Sequence, residues 1–266
     1  MEYIGYFASI LIGVALGLIG GGGSILTVPV LVYLFGVSPL LSTSYSLFIV
    51  GSTSLVGAVN NYKQGFVNVK IALLFGLTSI TTVFLTRKFI IPNIPQEVAK
   101  IGSFIITESM LMMILFATLM VIAATAMIKN RKSIDKKNPV KTKLNIIKLL
   151  VYGIAIGIIT GFLGAGGGFL LIPTLVILLG LPMKEAVGTS LLIIALNSLF
   201  GFTADLGHFE IDWYFLLSIT AIALVGLVIG SQIGKKIEST KLKKGFGYFV
   251  LIMGIFIIIK EVFLNP

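Results

Sequence analysis

Few residues in this chain could do chemistry, and glycines lead them. Gly20, Gly21, Gly22 and Gly23, followed by Ser24, form one run, while Gly164, Gly166, Gly167 and Gly168 form another interrupted by Ala165. Each glycine inside a helix costs about 1 kcal/mol relative to alanine, so both runs are expected to break one. Pro29 and Pro173 follow the runs, and proline is best accommodated in a first helical turn. Segments 20–27 and 164–172 therefore read as unwound, with short helices starting near each proline and stopping by Gly36 and Gly180. A helix restarted after such a break offers free N–H donors and partial positive charge, which suits an anion without any buried Lys or Arg. Close packing alone is the other reading of the glycines.

Hydroxyls and amides supply the remaining candidates. Thr43, Ser44, Thr189 and Ser190 are expected to open the helices that follow the breaks, where they either cap N–H groups or face a substrate. Asn197 is the most interior asparagine, whereas Asn60 and Asn61 read as interfacial. Glu108 is the carboxylate inside an apolar run, to be read as a proton-coupling site or as an interfacial group. Asp205 and His208 fall at a segment end, where solvation is the default, and Trp213 and Tyr214 look like interface anchors.

Several chemistries are excluded. Cysteine is absent and histidine occurs once, which removes disulfides, thiolate metal sites and multi-histidine centres. There is no H-E-x-x-H, no G-x-S-x-G and no carboxylate pair in an apolar run. The glycine runs follow an apolar helical segment, so they are neither a Walker loop nor a dinucleotide fingerprint. No cofactor, no metal and no enzymatic activity are expected, and an ATP-driven pump would need a nucleotide domain.

The elements that must position these residues lie in a bilayer. With 57% hydrophobic and 11% charged residues and a mean hydropathy of +1.08, the chain lacks the polar surface of a soluble globule. Residues 3–62 and 149–183 carry no charge, and further apolar segments of spanning length cover 69–85, 103–128, 186–204, 213–234 and 245–259. No basic residue precedes the first apolar run, which argues against a cleaved signal peptide. The net charge of +10 sits in loops, in Lys129, Arg131, Lys132, Lys136, Lys137, Lys141, Lys143 and Lys148, and again in Lys235, Lys236, Lys241, Lys243 and Lys244. That is the signature of cytoplasmic loops, not of nucleic-acid binding.

The chain also repeats itself. At an offset of 144, Gly13, Gly17, Gly20, Gly22, Gly23, Pro29 and Gly36 fall on Gly157, Gly161, Gly164, Gly166, Gly167, Pro173 and Gly180; Gly57 and Asn68 fall on Gly201 and Asp212. Thr43 and Ser44 meet Thr189 and Ser190 after a two-residue length difference. The expected organisation is a first membrane repeat at 1–128, a basic cytoplasmic linker at 129–148 and a second repeat at 149–266. Small residues every fourth position, Ser9, Gly13 and Gly17 or Gly153, Gly157 and Gly161, suit tight helix packing. Each half would hold a re-entrant hairpin and three spanning helices in an all-α, multi-pass inner-membrane protein. If both basic loops are cytoplasmic, the halves are inverted and both termini lie outside. Arg87, Lys88 and Lys100 then fall outside, against the charge bias.

The doubled pattern GLIGGGGSILTVPVLVYLFG and GFLGAGGGFLLIPTLVILLG, each followed by a Thr-Ser pair, with HFEIDW opening the penultimate span, resembles the sulfite exporter TauE/SafE family over nearly the whole chain. The resemblance implies a permease for sulfite or organosulfur anions such as sulfonates, coupled to protons, with the glycine segments and Thr-Ser pairs at its site. The first half departs at Asn68, where the second has Asp212. The function expected is secondary transport of a small anion by alternating access, with a passive anion channel, or a permease for another small carboxylate or oxyanion, as alternatives. Partners would be the anion, protons and lipid, and a homo-oligomer is compatible with this.

Overall fold

The computed structural model describes residues 2–101, 104–129, 146–164, 166–234 and 239–264. Most of the basic linker lies outside them, as do Ala165, Lys235 and Lys236.

Among the described residues ten α-helices follow in order: α1 (Glu2–Ile19), α2 (Thr27–Phe35), α3 (Pro39–Lys63), α4 (Val69–Leu85), α5 (Glu108–Ile128), α6 (Ile146–Leu163), α7 (Gly168–Leu179), α8 (Met183–Asp205), α9 (Trp213–Gly234) and α10 (Ser239–Ile259). Among the described residues, five helical stretches are long and apolar enough to cross a bilayer: α3, α4 with the turns that extend it to Asn93, α5, α8 and α9. Large apolar side chains face outward along these helices and along α10, as in Leu77 of α4 at 64% exposure and Ile252 of α10 at 67%. In water such a surface would drive association; in hydrocarbon it is the surface required. One departure from an all-α chain is a short antiparallel hairpin, β1 (Glu97–Ile101) and β2 (Phe104–Thr107), in the connection from α4 to α5. Its Val, Ile, Phe and Thr content favours extended backbone, and it shortens the expected 103–128 segment to a helix from Glu108.

Helix ends follow local chemistry. Asn68 and Asp212, the repeat-related pair, cap α4 and α9 alike: Asn68 Oδ1 accepts from the Ile71 N–H at 3.1 Å and Asp212 Oδ1 from the Phe215 N–H at 3.0 Å. The departure at this position therefore leaves the cap intact, since either side chain presents the oxygen required. Gly36 and Gly180 end α2 and α7 at φ 69° and 65°, the left-handed stop that glycine alone adopts without strain.

Packing follows the repeat in register. Gly13 and Gly17 of α1 press on Ala223, Leu227 and Ser231 of α9, while Gly157 and Gly161 of α6 press on Ser79 and Thr82 of α4 and on Thr86 just after it. Those two helix pairs run parallel. α3 and α8 cross each other in opposite directions, with Leu47 beside Gly201, Gly51 beside Leu199, Gly57 beside Leu191 and Asn61 beside Gly188. Likewise α5 and α10 are antiparallel, with Gly247 by Met127 and Ile128 and Gly254 by Met120 and Val121. Glycine at each contact lets backbones approach to distances a side chain would forbid.

Candidate functional site: the paired glycine breaks

Two corrections apply to the breaks themselves. After Gly20, at φ 73° and ψ −138°, residues Gly21–Leu26 wind into a tight 3-10 turn where an unwound segment 20–27 was expected, and α2 begins at Thr27 with Pro29 in its first turn. In the second half the unwound stretch is shorter than 164–172. Gly164, Gly166 and Gly167 take φ of 64°, 65° and 67°, and α7 already starts at Gly168, with the Gly167 carbonyl accepting from the Leu170 and Leu171 N–H groups. Pro173 thus falls in the second turn, where it lacks the N–H for the bond to residue 169 and its ring crowds that residue's carbonyl. The apolar run from Phe169 to Leu179 favours helix strongly enough to absorb it.

The breaks touch. A Cβ added to Gly21 would lie 2.6 Å from the Gly168 Cα, and one added to Gly168 would strike the backbone of Gly21. A Cβ on Gly166 would lie 2.8 Å from both Val50 on α3 and Ile194 on α8. Both residues are near the middle of their helices, so the breaks meet at the midpoint of the α3–α8 crossing. Gly20 packs on Val187 of α8 and Gly164 on the backbone of Thr43 of α3, so each break leans on the helix that follows the other. Gly23 and Gly167 turn back instead onto their own preceding helices, at Ala15–Leu16 and Thr160. Gly22 lies within the 3-10 turn.

The polar candidates divide. Ser24 is buried, and its Oγ donates to the Gly21 carbonyl at 2.8 Å, bracing the first break. Thr43 and Ser190 sit a turn or more inside their helices and donate back to the Leu40 and Val187 carbonyls at 2.7 and 2.8 Å; neither caps an N-terminus, as the sequence allowed. Thr189 Oγ1 accepts from the Asn68 backbone N–H at 2.9 Å, and Tyr45 does the same for Asp212 at 2.8 Å. In each half, a hydroxyl near the start of one long helix thus serves the connection of the other. Asn197 is fully buried, its amide donating to Ser79 Oγ at 2.6 Å while Oδ1 has no partner among the described residues. Asn60 is exposed and Asn61 half-buried, near the end of α3.

Sequence reading missed two hydroxyls. Thr160 Oγ1 and Ser198 Oγ are buried without hydrogen-bond partners among the described residues, Thr160 against Gly167 and Ser198 3.0 Å from where a Gly166 Cβ would stand. A hydroxyl inside an apolar span was the available signal. Glu108 is the first residue of α5, behind the capping Thr107, and not deep in a span. Asp205 is 2% exposed and paired with Arg87, so neither is a solvated loop charge. Elsewhere a cavity of about 400 Å³ is lined by Ser38, Thr107, Lys260 and Glu261 among others. There Tyr33 donates to Glu261 at 2.8 Å beneath the Lys260 ammonium.

The long apolar helices of the described residues, with the two breaks packed between them, define a multi-pass helical membrane protein. The model of the family "Sulfite exporter TauE/SafE" matches residues 6–257, and the chain belongs to that family of membrane transporters, not of enzymes. It is similar to a "Probable membrane transporter protein" of Xylella fastidiosa (strain 9a5c), 28% identical over 93% of this chain and 91% of that one. It is also similar to the "Probable membrane transporter protein YdhB" of Bacillus subtilis (strain 168), 26% identical over 85% and 86%. A "Probable membrane transporter protein" of Haemophilus influenzae is 27% identical over 94% and 95%. No solved structure matches the chain.

Proposed function

We propose that this chain is a secondary transporter for a small sulfur-containing oxyanion, sulfite or an organosulfonate, working by alternating access with proton coupling. Its site is the meeting point of the two glycine breaks: Gly20 to Gly23 with Ser24, Gly164 and Gly166 to Gly168, and the nearby Thr43, Ser44, Thr189, Ser190 and Asn197. The single observation that carries this reading is the contact of Gly21 with Gly168 at mid-helix depth. Unwound backbone at that depth needs protein or a wet cavity around it, and paired interruptions at the midplane are where many secondary transporters hold substrate.

The N-terminus of α7 begins at this contact, and the first N–H groups of a helix have no intrahelical acceptor. They offer an anion donors and partial positive charge. Inversion of the halves has geometric support too. A two-fold axis along the helices would leave α3 parallel to α8 and α5 parallel to α10; both pairs are antiparallel, as an axis in the membrane plane requires. The protein then sits in the inner membrane with both termini outside. Glu108, at the first position of α5, is the coupling candidate.

The test is a panel of anions in liposomes carrying the purified protein, run with and without a pH gradient. Saturable flux of sulfite or a small sulfonate that responds to the gradient is expected. Linear, gradient-independent permeation would make the protein a channel, and uptake confined to carboxylates would replace the substrate class.

A further inference from the structure

Arg87 is among the largest fully buried side chains, and its Nη1 lies 3.3 Å from Asp205 Oδ2, with the two side chains 0% and 2% exposed. Among the described residues none of its three guanidinium nitrogens has a hydrogen-bond partner, and neither does Asp205 Oδ2. The cation therefore has a counter-ion but unused donors. A wide π turn, Thr86–Ile90, carries it at the end of α4, and such turns recur at functional sites.

The surroundings tie this pair to the second break. Thr86 packs on Gly161 in the last turn of α6, just ahead of the break; Gly164 rests on Thr43; and the hydroxyl of the next residue, Ser44, lies beside Asp205. Packing alone does not call for the ion pair, because the repeat-related positions at the same offset are Ser231 and Asn61. A buried pair is also costly to form, and apolar residues of similar volume often serve stability as well.

We propose that Arg87 and Asp205 form a latch beside the second glycine break, which the transported oxyanion opens by taking the place of Asp205 on Arg87. This rests on the anion-transport reading above. The guanidinium fork matches two oxygens of one anion, so the latch selects sulfite- or sulfonate-like groups over halides. Asp205, released, keeps Ser44 and His208 beside it.

The chain has no cysteine, so Ser44→Cys provides a single label site. Reaction of that cysteine with a sulfonate-bearing thiol reagent is expected to be slow with the latch intact and at least tenfold faster when Asp205→Asn is added, with a smaller gain for a neutral reagent. Equal rates with and without Asp205→Asn overturn the latch, whatever the flux. In liposomes, Arg87→Met combined with Asp205→Leu removes both charges together, leaves no unpaired ion in the bilayer, and is expected to fold but lose sulfite flux at least tenfold. Parental flux in that variant overturns the role of Arg87. If the parental chain moves neither sulfite nor a small sulfonate, the substrate reading fails, and the labelling rates still decide the latch.

Discussion

At the scale of single residues, the structure separates glycines that are crowded from those that are merely turned. A Cβ at Gly168 would meet the backbone of Gly21, whereas at Gly36, with φ 69°, nothing lies within 4 Å. Gly36→Ala is expected to cost about 1–2 kcal/mol, the penalty of a left-handed alanine. Gly168→Ala forces two backbones apart and should lower the melting temperature in detergent by clearly more; equal shifts would mean that the breaks are not in contact. A second case is Asn68, whose amide donates to Glu185 Oε1 at 2.9 Å. Asn68→Asp keeps the cap but sets two carboxylates together, so a loss of about 1–2 kcal/mol is expected, recovered when Glu185→Gln is added. No recovery would remove the inter-half contact from the account. The glycines, prolines and Thr-Ser pairs were legible in the sequence because their types alone restrict backbone conformation. The surroundings of Thr160 and Ser198 and the pairing of Arg87 with Asp205 were not, since no local pattern states which helix a buried polar group will face.

Between elements, the repeat made most of the packing readable. Gly13 and Gly17 on α1 and their counterparts on α6 announced close helix contacts, and those contacts form in matching register on α9 and α4. The point where unwinding stops was not readable, because Gly168 and Pro173 suggest a break while the apolar run around them favours helix. Antiparallel crossing of α3 and α8 can be checked in this cysteine-free chain. Cysteine pairs at Leu47 with Gly201 and at Gly57 with Leu191 are expected to cross-link on oxidation, and Leu47 paired with Leu191 is not. The reverse pattern would make the helices parallel and undo the inversion. Gly157→Leu, which must push α6 off Ser79 and Thr82, should destabilise the fold by an amount typical of overpacking, about 1–3 kcal/mol.

For the whole molecule, antiparallel pairing of α3 with α8 and of α5 with α10 goes with two interruptions that meet midway along α3 and α8. Charge bias in the sequence favours the proposed orientation with both termini outside, and Arg87, Lys88 and Lys100 count against it. Burial of Arg87 with Asp205 takes the first of these out of the count of loop charges. The most direct check of the central claim is sulfite flux into liposomes containing the parental chain or one of three variants, Gly22→Leu, Gly166→Leu and Thr189→Val. Saturable flux in the parent, reduced at least tenfold in variants that still elute as folded protein, is the expected result. Undiminished flux in all three would contradict a site at the paired glycine breaks.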